Sequence, residues 1–379
     1  MNFLFTAGGT AGHINPAVAV AENIRRLMPD AKILFVGAEG QMETRRVPEA
    51  GFEIRTVKIT NFQRSLRPEK ILHNLKTLRN IAVSLTESRR IIREFAPSVA
   101  VGTGGYVCYP VLRSAVALGV PALLHESNAV PGLTTRMLAK HVDRVLVGFE
   151  ESRKSYGVDK SVVTGTPVRM DFNSMDKTQA KAELGLAPDV PVVLSVWGSL
   201  GSSHMNAVIS ELIAKRADPG VGSDFHLIHA TGEREYAQVL AKLERTPEQL
   251  RDCSVDLRDY IHNMPTVMAA ADLVLCRAGA STLAELAVAG KPALLIPSPN
   301  VTNNHQERNA RVLENARAAQ VVLEGEFDAA TLDHRICGLL TEQGTLADMA
   351  GNMLALAVPD AADRITELAL EFAERGKYK

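Results

Sequence analysis

The stretch that decides the fold is residues 6–24, TAGGTAGHINPAVAVAENI. The few apolar residues before it form a strand, and apolar side chains then recur at helical spacing: Ala17, Val18, Val20, Ala21 and Ile24. In open α/β sheets ligands bind where a strand ends and a helix begins, and glycine lets a phosphate approach the backbone. The loop alone is consistent with a dinucleotide site, a sugar-nucleotide site or a structural turn, and His13 is placed to meet a ligand.

The composition is that of a globular protein long enough for two domains, with 379 residues, 46% hydrophobic and 22% charged. Its four cysteines form no metal-like pair, which suits a reducing cytoplasm. No signal peptide is predicted, and the uncharged run 95–112 contains glycines and prolines, so we expect no transmembrane helix. Residues 1–170 carry a net charge of +9 and the remainder −10. The first half is therefore expected to meet a membrane surface, a phosphate or nucleic acid.

Short apolar runs alternate with helical patterns along the chain, which is typical of parallel α/β architecture. Five strands are predicted in the first half: Phe3–Thr6, Lys32–Val36, Val99–Val101, Ala122–His125 and Arg144–Val147. Six are predicted in the second: Val192–Val196, His226–His229, Val255–Arg258, Leu273–Cys276, Ala293–Ile296 and Ala319–Val322. We therefore expect two doubly wound domains, 1–165 and 166–359, followed by a helical tail within 360–379.

Residues 62–95 form a basic stretch in which Lys and Arg alternate with apolar residues. Such a helix can lie on an anionic bilayer. An ordinary amphipathic helix with a basic solvated face explains the pattern equally well. Nucleic-acid binding is a weaker alternative, because stacking aromatic residues are scarce.

Further glycine loops follow predicted strands in both halves, at 101–110, 197–206 and 277–282. In the last of these, Ala280, Ser281 and Thr282 open a helix whose N–H groups and hydroxyls suit a diphosphate. Glu285, one turn further, either accepts hydrogen bonds from a ribose or merely complements the helix dipole. The polar cluster 304–309 is either a sugar site or a helix cap.

The ordered set GGTAGHINPA, GTGGY, HESNAVPG, GTPVR, GSLGSS, RAGASTLAE and NNHQERNA resembles the MurG family, from Met1 to about Leu323. These enzymes transfer N-acetylglucosamine from UDP-GlcNAc to lipid-linked muramyl-pentapeptide in peptidoglycan synthesis. The resemblance implies a GT-B fold of two Rossmann-like domains facing a central cleft, with the donor bound mainly by the second domain. It also implies no cofactor and no catalytic metal, peripheral attachment to the cytoplasmic side of the cell membrane, a last helix that crosses back to the first domain, and partners in cell-wall synthesis and division.

The resemblance also implies roles for individual residues. Two are candidates for the catalytic base, His13 and Glu126, and Tyr106 is placed on the acceptor side. The residues matched to UDP-GlcNAc contacts are Thr10, Ala11, Gly12, Asn128, Arg169, Ser199, Asn206, Ile261, Ala280, Ser281, Thr282, Glu285 and Gln306. Four positions depart from the family pattern: Ala11, Thr166, Trp197 and Ser202. Of these, Trp197 is the most unusual, because a bulky ring beside a phosphate loop is able to narrow the site.

The predicted reaction is an inverting transfer of GlcNAc to the 4-hydroxyl of the lipid-linked sugar (lipid I), giving lipid II. In the absence of a metal, Arg169 and main-chain N–H groups neutralise the departing UDP. Two alternatives of the same fold are a diacylglycerol glycosyltransferase and a UDP-GlcNAc 2-epimerase. A dehydrogenase is disfavoured, because the first loop departs from the dinucleotide fingerprint and no acidic residue ends the second strand.

Overall fold

A computed structural model describes residues 1–59, 68–173, 175–198, 201–217 and 224–375, which form two compact α/β units. Unit 1 comprises Met1–Arg169 and Val358–Lys379, and unit 2 comprises Met170–Ala357. The chain first leaves unit 1 and enters unit 2 after Arg169, four residues beyond the domain boundary expected at residue 165.

Each unit is built on one sheet whose strands all run parallel. The strands of unit 1 are β1 (Asn2–Thr6), β2 (Lys32–Ala38), β3 (Glu53–Val57), β4 (Val99–Gly102), β5 (Ala122–Glu126), β6 (Arg144–Val147) and β7 (Ser161–Val163). The strands of unit 2 are β8 (Val192–Val196), β9 (His226–Ala230), β10 (Val255–Arg258), β11 (Leu273–Cys276), β12 (Ala293–Leu295) and β13 (Ala319–Val321). The prediction of two doubly wound parallel sheets is confirmed.

The strand orders place a switch point at the centre of each sheet. Unit 1 has the order β3-β2-β1-β4-β5-β6-β7, and unit 2 has β10-β9-β8-β11-β12-β13. The chain therefore winds outward in opposite directions from the pair β1 and β4, and from the pair β8 and β11. Loops that leave the carboxyl ends of such a pair diverge and open a crevice, which is where ligands bind in this architecture.

Helices connect the strands throughout. Those of unit 1 are α1 (Ala11–Leu27), α2 (Glu43–Glu49), α3 (Pro68–Phe95), α4 (Cys108–Ala117), α5 (Leu133–Ala139) and α6 (Glu150–Arg153). Those of unit 2 are α7 (Lys177–Glu183), α8 (Ser203–Arg216), α9 (Tyr236–Leu243), α10 (Pro247–Asp252), α11 (Met264–Ala270), α12 (Ala280–Ala289), α13 (His305–Asn315), α14 (Ala329–Thr341) and α15 (Thr345–Ala355). The last helix, α16 (Ala361–Arg375), belongs to unit 1. No helix in the described part of the chain has the length and apolar character that a bilayer crossing requires.

The C-terminal helix α16 packs against α1. Asn23 on α1 donates from Nδ2 to Asp363 Oδ1 at 2.9 Å and to Thr366 Oγ1 at 3.0 Å, while Ile365 and Phe372 join the core beneath β1. The apolar positions that predicted α1 are all buried. α1 is therefore covered on one side by the sheet and on another by the end of the chain.

Two strands of unit 1, β3 and β7, were missed by the sequence prediction. Both lie at the edges of the sheet. β3 has a mixed pattern in which Glu53 and Thr56 are exposed, and β7 has only three residues. An edge strand has one neighbour and one open side, so its sequence lacks the continuous apolar run that reveals a central strand.

Candidate functional site

Two glycine loops interlock at the switch point of unit 1. One joins β1 to α1 and the other joins β4 to α4. The Gly8 N–H donates to Gly104 O at 3.3 Å, and the Thr103 hydroxyl donates to His13 O at 2.7 Å. The first turn of α1, which carries His13, is therefore fixed by the neighbouring loop.

His13 lies directly against the second of these loops. A β-carbon built on Gly104 would come within 2.4 Å of His13 Nδ1, and one on Gly105 within 2.2 Å of Gly8 O. Both glycines also have positive φ, 118° and 87°, in the region that side chains disfavour. Only glycine fits at either position, so the GTGGY motif is needed for the imidazole to occupy this place.

A buried carboxylate, Glu43, supports the first loop from below. Its Oε2 accepts from Gly9 N at 3.1 Å and its Oε1 from Ala38 N at 2.8 Å, and it is fully buried. Burial, and then the Glu43 charge, raise the pKa of Tyr106, so that phenol stays neutral. Glu43 gives no distinctive signal in the sequence, because an acidic residue at the start of a helix resembles an ordinary dipole partner.

The thiol of Cys108 lies under the same loops and is inert. Its Sγ contacts Gly104 O at 3.0 Å and Thr6 O at 3.2 Å, and burial raises its pKa to about 12. Burial likewise raises the pKa of Cys276 in unit 2 to about 12. Neither thiol forms a thiolate near neutral pH, so neither can serve as a nucleophile.

Glu126, the second candidate base, closes the turn that follows β5. Its Oε1 accepts from the backbone and side-chain amides of Asn128, both at 3.0 Å, and its Oε2 accepts from Gly132 N at 3.0 Å. It is only 4% exposed. Both oxygens are thus already engaged with the HESNAVPG turn, which is the geometry of a structural carboxylate more than that of a proton acceptor.

Its neighbour His125 holds the segment that leads to Arg169. His125 Nε2 lies 2.9 Å from Gly165 O, and Nδ1 lies 3.3 Å from Ser127 Oγ. A carbonyl can only accept, so Nε2 carries the proton and Nδ1 accepts from the serine. Burial lowers the pKa of His125, which keeps the ring neutral. Arg169 itself is exposed at the end of the first segment of unit 1.

In unit 2 the side chain of Asn206 is turned toward the loop after β9. It is 2% exposed, and its amide donates to Thr231 O at 2.8 Å and to Glu235 Oε2 at 2.5 Å. The structure therefore gives Asn206 a role in holding that loop, and its direct contact with the donor stays a prediction. Ser199, of the same glycine loop, lies outside the described residues.

Trp197, whose ring is bulky enough to narrow a phosphate loop, instead enters the core. Its ring is 3% exposed, and the indole N–H donates to Ser195 Oγ at 3.0 Å. Ser195 Oγ lies 2.9 Å from Nδ1 of His229, which is fully buried. The Trp197 ring therefore does not narrow the phosphate site. Hydrogen bonds from the indole N–H to Ser195, and between Ser195 and His229, give the polar edge of the indole a partner inside the core.

The other departures from the pattern are also accommodated. Ala11 lies in α1 and is absent from the residues with positive φ, so the missing glycine is not needed there. Thr166 is 7% exposed and packs against Gly148.

The RAGAST segment opens α12 at the switch point of unit 2. Its N-cap is Gly279, which has no side chain to cap the helix, and Ala280 and Ser281 follow at 7% and 8% exposure. Glu285 is half-buried one turn further on. The first N–H groups of a helix lack partners within the helix and favour an anion.

Helix α13 is tied to this segment by its polar residues. Asn309 is fully buried and donates to Ala278 O at 3.2 Å, while Gln306 Oε1 accepts from Ser298 N at 2.9 Å. The Gln306 amide is thereby oriented at the end of β12. Ile261 is 4% exposed, and its backbone contact with uracil stays a prediction.

No three His, Cys, Asp or Glu side chains within the described ranges lie close enough together to bind a metal ion.

Comparison with protein families matches the chain in two segments. Residues 3–147 match the glycosyltransferase family 28 N-terminal domain, and residues 192–365 match the glycosyltransferase family 28 C-terminal domain.

Curated relatives match the chain over nearly its full length. A protein of Acetivibrio thermocellus named UDP-N-acetylglucosamine--N-acetylmuramyl-(pentapeptide) pyrophosphoryl-undecaprenol N-acetylglucosamine transferase is 41% identical, covering 97% of each chain. A Bacillus cytotoxicus protein of the same name is 38% identical over 99% of this chain and 100% of its own.

Solved structures are similar in fold. MurG of Acinetobacter baumannii superimposes with a TM-score of 0.72 at 25% identity, covering 98% of this chain and 99% of that one. UDP-GlcNAc 2-epimerase of Neisseria meningitidis gives 0.66 at 16% identity, covering 98% and 100%. These neighbours and the two parallel sheets establish the GT-B fold.

Proposed function

Because the chain belongs to the MurG family of glycosyltransferases, we propose that it transfers N-acetylglucosamine from UDP-GlcNAc to the lipid-linked MurNAc-pentapeptide. The acceptor is undecaprenyl-pyrophosphoryl-MurNAc-pentapeptide, and the new bond forms at its 4-hydroxyl. The observation that supports this most is the position of His13, fixed between two glycine loops at the switch point of unit 1. In this proposal unit 1 receives the acceptor and unit 2 binds most of the donor.

His13 is the proposed general base. The Nδ1 side of its ring faces Gly104, so Nε2 is the nitrogen that takes the proton from the acceptor hydroxyl. The hydroxyl oxygen then attacks the anomeric carbon opposite the departing UDP, which inverts the configuration. An imidazole suits this task because it titrates near neutral pH. Glu126 is the less favoured base, because the HESNAVPG turn already uses both of its oxygens.

The negative charge that develops on the leaving UDP needs positive groups. Arg169, the N–H groups at the start of α12 and the hydroxyls of Ser281 and Thr282 are proposed to bind the diphosphate, with Glu285 on the ribose. In other enzymes a preorganised donor of this kind lowers the activation free energy by about 3–4 kcal/mol. Thr10, Ala11, Gly12, Asn128 and Gln306 are proposed as contacts to the transferred sugar, with Asn206 and Ser199 beside the diphosphate, Ile261 at the uracil and Tyr106 on the acceptor side.

A surface of unit 1 is proposed to rest on the anionic inner face of the cell membrane. On α5, Leu133 is 60% exposed and Met137 is 46% exposed; the exposed cation Arg136 lies on the same short helix and the exposed cation Lys140 at its C-cap. α4 packs against both α5 and the basic helix α3. Apolar side chains flanked by cations bind an anionic bilayer without crossing it. This arrangement would bring unit 1 to a lipid-borne acceptor.

The direct test is transfer of radiolabel from UDP-[14C]GlcNAc to lipid I by the purified chain. We expect label in the butanol-soluble product with the wild type, and at least about a hundredfold slower transfer by His13→Ala, the range typical of a lost general base. Diacylglycerol replaces lipid I in a parallel reaction, and UDP-GlcNAc alone is incubated in a third. Label in a diacylglycerol product would identify a glycolipid enzyme, and formation of UDP-ManNAc without acceptor would identify an epimerase.

A further inference from the structure

Two of the positions at which this chain departs from the family pattern, Trp197 and Ser202, contact the same side chain. The Arg277 guanidinium lies over the Trp197 ring, 5.7 Å from its centroid, and donates from Nη2 to Ser202 Oγ at 2.9 Å. Ser202 is also the N-cap of α8 and accepts from Met205 N at 3.5 Å. The two substitutions therefore act together on one cation.

Arg277 is fixed from the other side as well. Its Nη1 donates to Ile296 O at 3.1 Å and forms an ion pair with Glu324. The arginine side chain is 12% exposed and that of Glu324 is 13% exposed. Arg277 thus joins segments that follow four strands of unit 2: β8 through Ser202, β11 through its own backbone, β12 through Ile296 and β13 through Glu324.

Some N–H donors of the Arg277 guanidinium are not used by these partners. A guanidinium has five N–H donors. Among the described residues, hydrogen bonds to Ser202 and Ile296 use two of them, and Glu324 forms an ion pair with Nη1. Arg277 lies three residues before the first residue of α12, and Ser202 immediately precedes α8, so the cation stands between two helix starts at the switch point. Both helix starts favour an anion, and a planar guanidinium matches the oxygens of a phosphate.

We propose that Trp197 and Ser202 are positioning residues that hold Arg277 so that its remaining N–H donors bind the diphosphate of the nucleotide sugar. The proposal rests on the proposed function, because it assigns the cation to the donor of that reaction. The indole supplies a flat apolar surface with a negative face, and the serine hydroxyl sets the direction of the guanidinium. Glycine at position 197 and alanine at position 202 would supply neither contact.

The test is a double-mutant cycle on the binding of UDP, measured by calorimetry with the full chain. Arg277→Gln should weaken UDP about tenfold or more, as expected for a lost charge-assisted hydrogen bond. Ser202→Ala should weaken UDP about fivefold in the wild-type background and not at all in the Arg277→Gln background. Ser202→Thr, which keeps the hydroxyl, should restore affinity. Trp197→Phe should weaken UDP less than Ser202→Ala, because phenylalanine keeps a smaller ring beneath the cation.

Uridine, which lacks phosphate, separates this role from a merely structural one. Its affinity should be unchanged in all these variants. The matched control is Ser210→Ala, which removes another hydroxyl of α8, one that donates to Asn206 O at 2.6 Å. Equal losses for Ser202→Ala in both backgrounds, or equal losses for UDP and uridine, would overturn the proposal. Failure of the wild type to bind UDP would instead overturn the proposed function. A thermal-unfolding cycle between Ser202 and Arg277, followed by circular dichroism, would still report whether the two residues are coupled.

Discussion

The imidazole of His13 and the α-carbon of Gly104 are in contact, so that a methyl group at position 104 would lie 2.4 Å from His13 Nδ1. This contact ties the residue proposed as the base to a loop from a different strand, 91 positions further along the chain. It makes the position of the base sensitive to a residue that touches no substrate.

Replacing Gly104 with alanine should displace His13 and lower kcat at least about tenfold, while the KM for UDP-GlcNAc changes by less than about twofold. Steady-state transfer assays measure both. Gly119→Ala is the matched control, because Gly119 also has positive φ, 75°, but an added β-carbon would meet nothing within 4 Å. If both variants lost kcat equally, the loss would come from backbone strain alone and not from displacement of His13.

The two candidate bases can be separated by pH. In the wild type, kcat/KM should fall on the acidic side as the base becomes protonated. Glu126→Gln should keep that limb of the profile, since Glu126 serves the turn, and should lower stability by about 1–3 kcal/mol, because Gly132 N loses its acceptor. His13→Gln should abolish the limb together with most of the activity. Disappearance of the limb in Glu126→Gln would make the carboxylate the base.

Glu43→Gln should destabilise unit 1 by about 1–3 kcal/mol, because an amide cannot accept from both Gly9 N and Ala38 N. The pKa of Tyr106 should fall, since the Glu43 charge is one of the two causes that raise it. Urea unfolding measures the first effect and ultraviolet titration of tyrosine the second. Glu49→Gln, at the solvent-exposed end of the same helix, should change neither.

The stability of unit 2 should decline as the pH falls from about 6.5 to 4. Burial lowers the pKa of His229 to about 4, whereas the unfolded chain titrates near 6.5, so the unfolded state takes up the proton first. The loss amounts to about 3 kcal/mol when both states are protonated. Unfolding can be followed by the fluorescence of Trp197, the single tryptophan, which lies in the same unit. His229→Gln should flatten the dependence of stability on pH. His334→Gln, which changes an exposed histidine, should leave that dependence as it is in the wild type. A steep pH dependence in His229→Gln would show that another group causes it.

Serine at both Leu133 and Met137 should reduce sedimentation of the protein with phosphatidylglycerol vesicles about tenfold, because two exposed apolar side chains are lost from the proposed membrane surface. Leu354→Ser removes a side chain of similar exposure, 54%, from unit 2 and should have no effect. Transfer to a short-chain, water-soluble acceptor should be unchanged in all variants. Undiminished sedimentation of the double variant would place the membrane contact elsewhere.

Sequence patterns predicted the central strands and the glycine loops well, because a buried parallel strand is a continuous apolar run. β3 and β7 escaped because edge strands carry mixed side chains. Contacts between distant segments could not be predicted: nothing local in the sequence indicates that Glu43 supports Gly9, or that Arg277 reaches Ser202. The direction of the Trp197 side chain could not be predicted, because the sequence indicates neither its rotamer nor its hydrogen-bond partner Ser195. The basic residues Arg64 and Arg67 lie outside the described residues.

The return of α16 to unit 1 has a consequence for biosynthesis. Unit 2 is contiguous, so all of its residues are synthesised before the last helix of unit 1. Until then the face of α1 that receives Ile365 and Phe372 has no cover. The nascent chain therefore completes its second half first, and a transcript truncated before codon 358 would yield a finished unit 2 attached to an unfinished, aggregation-prone unit 1.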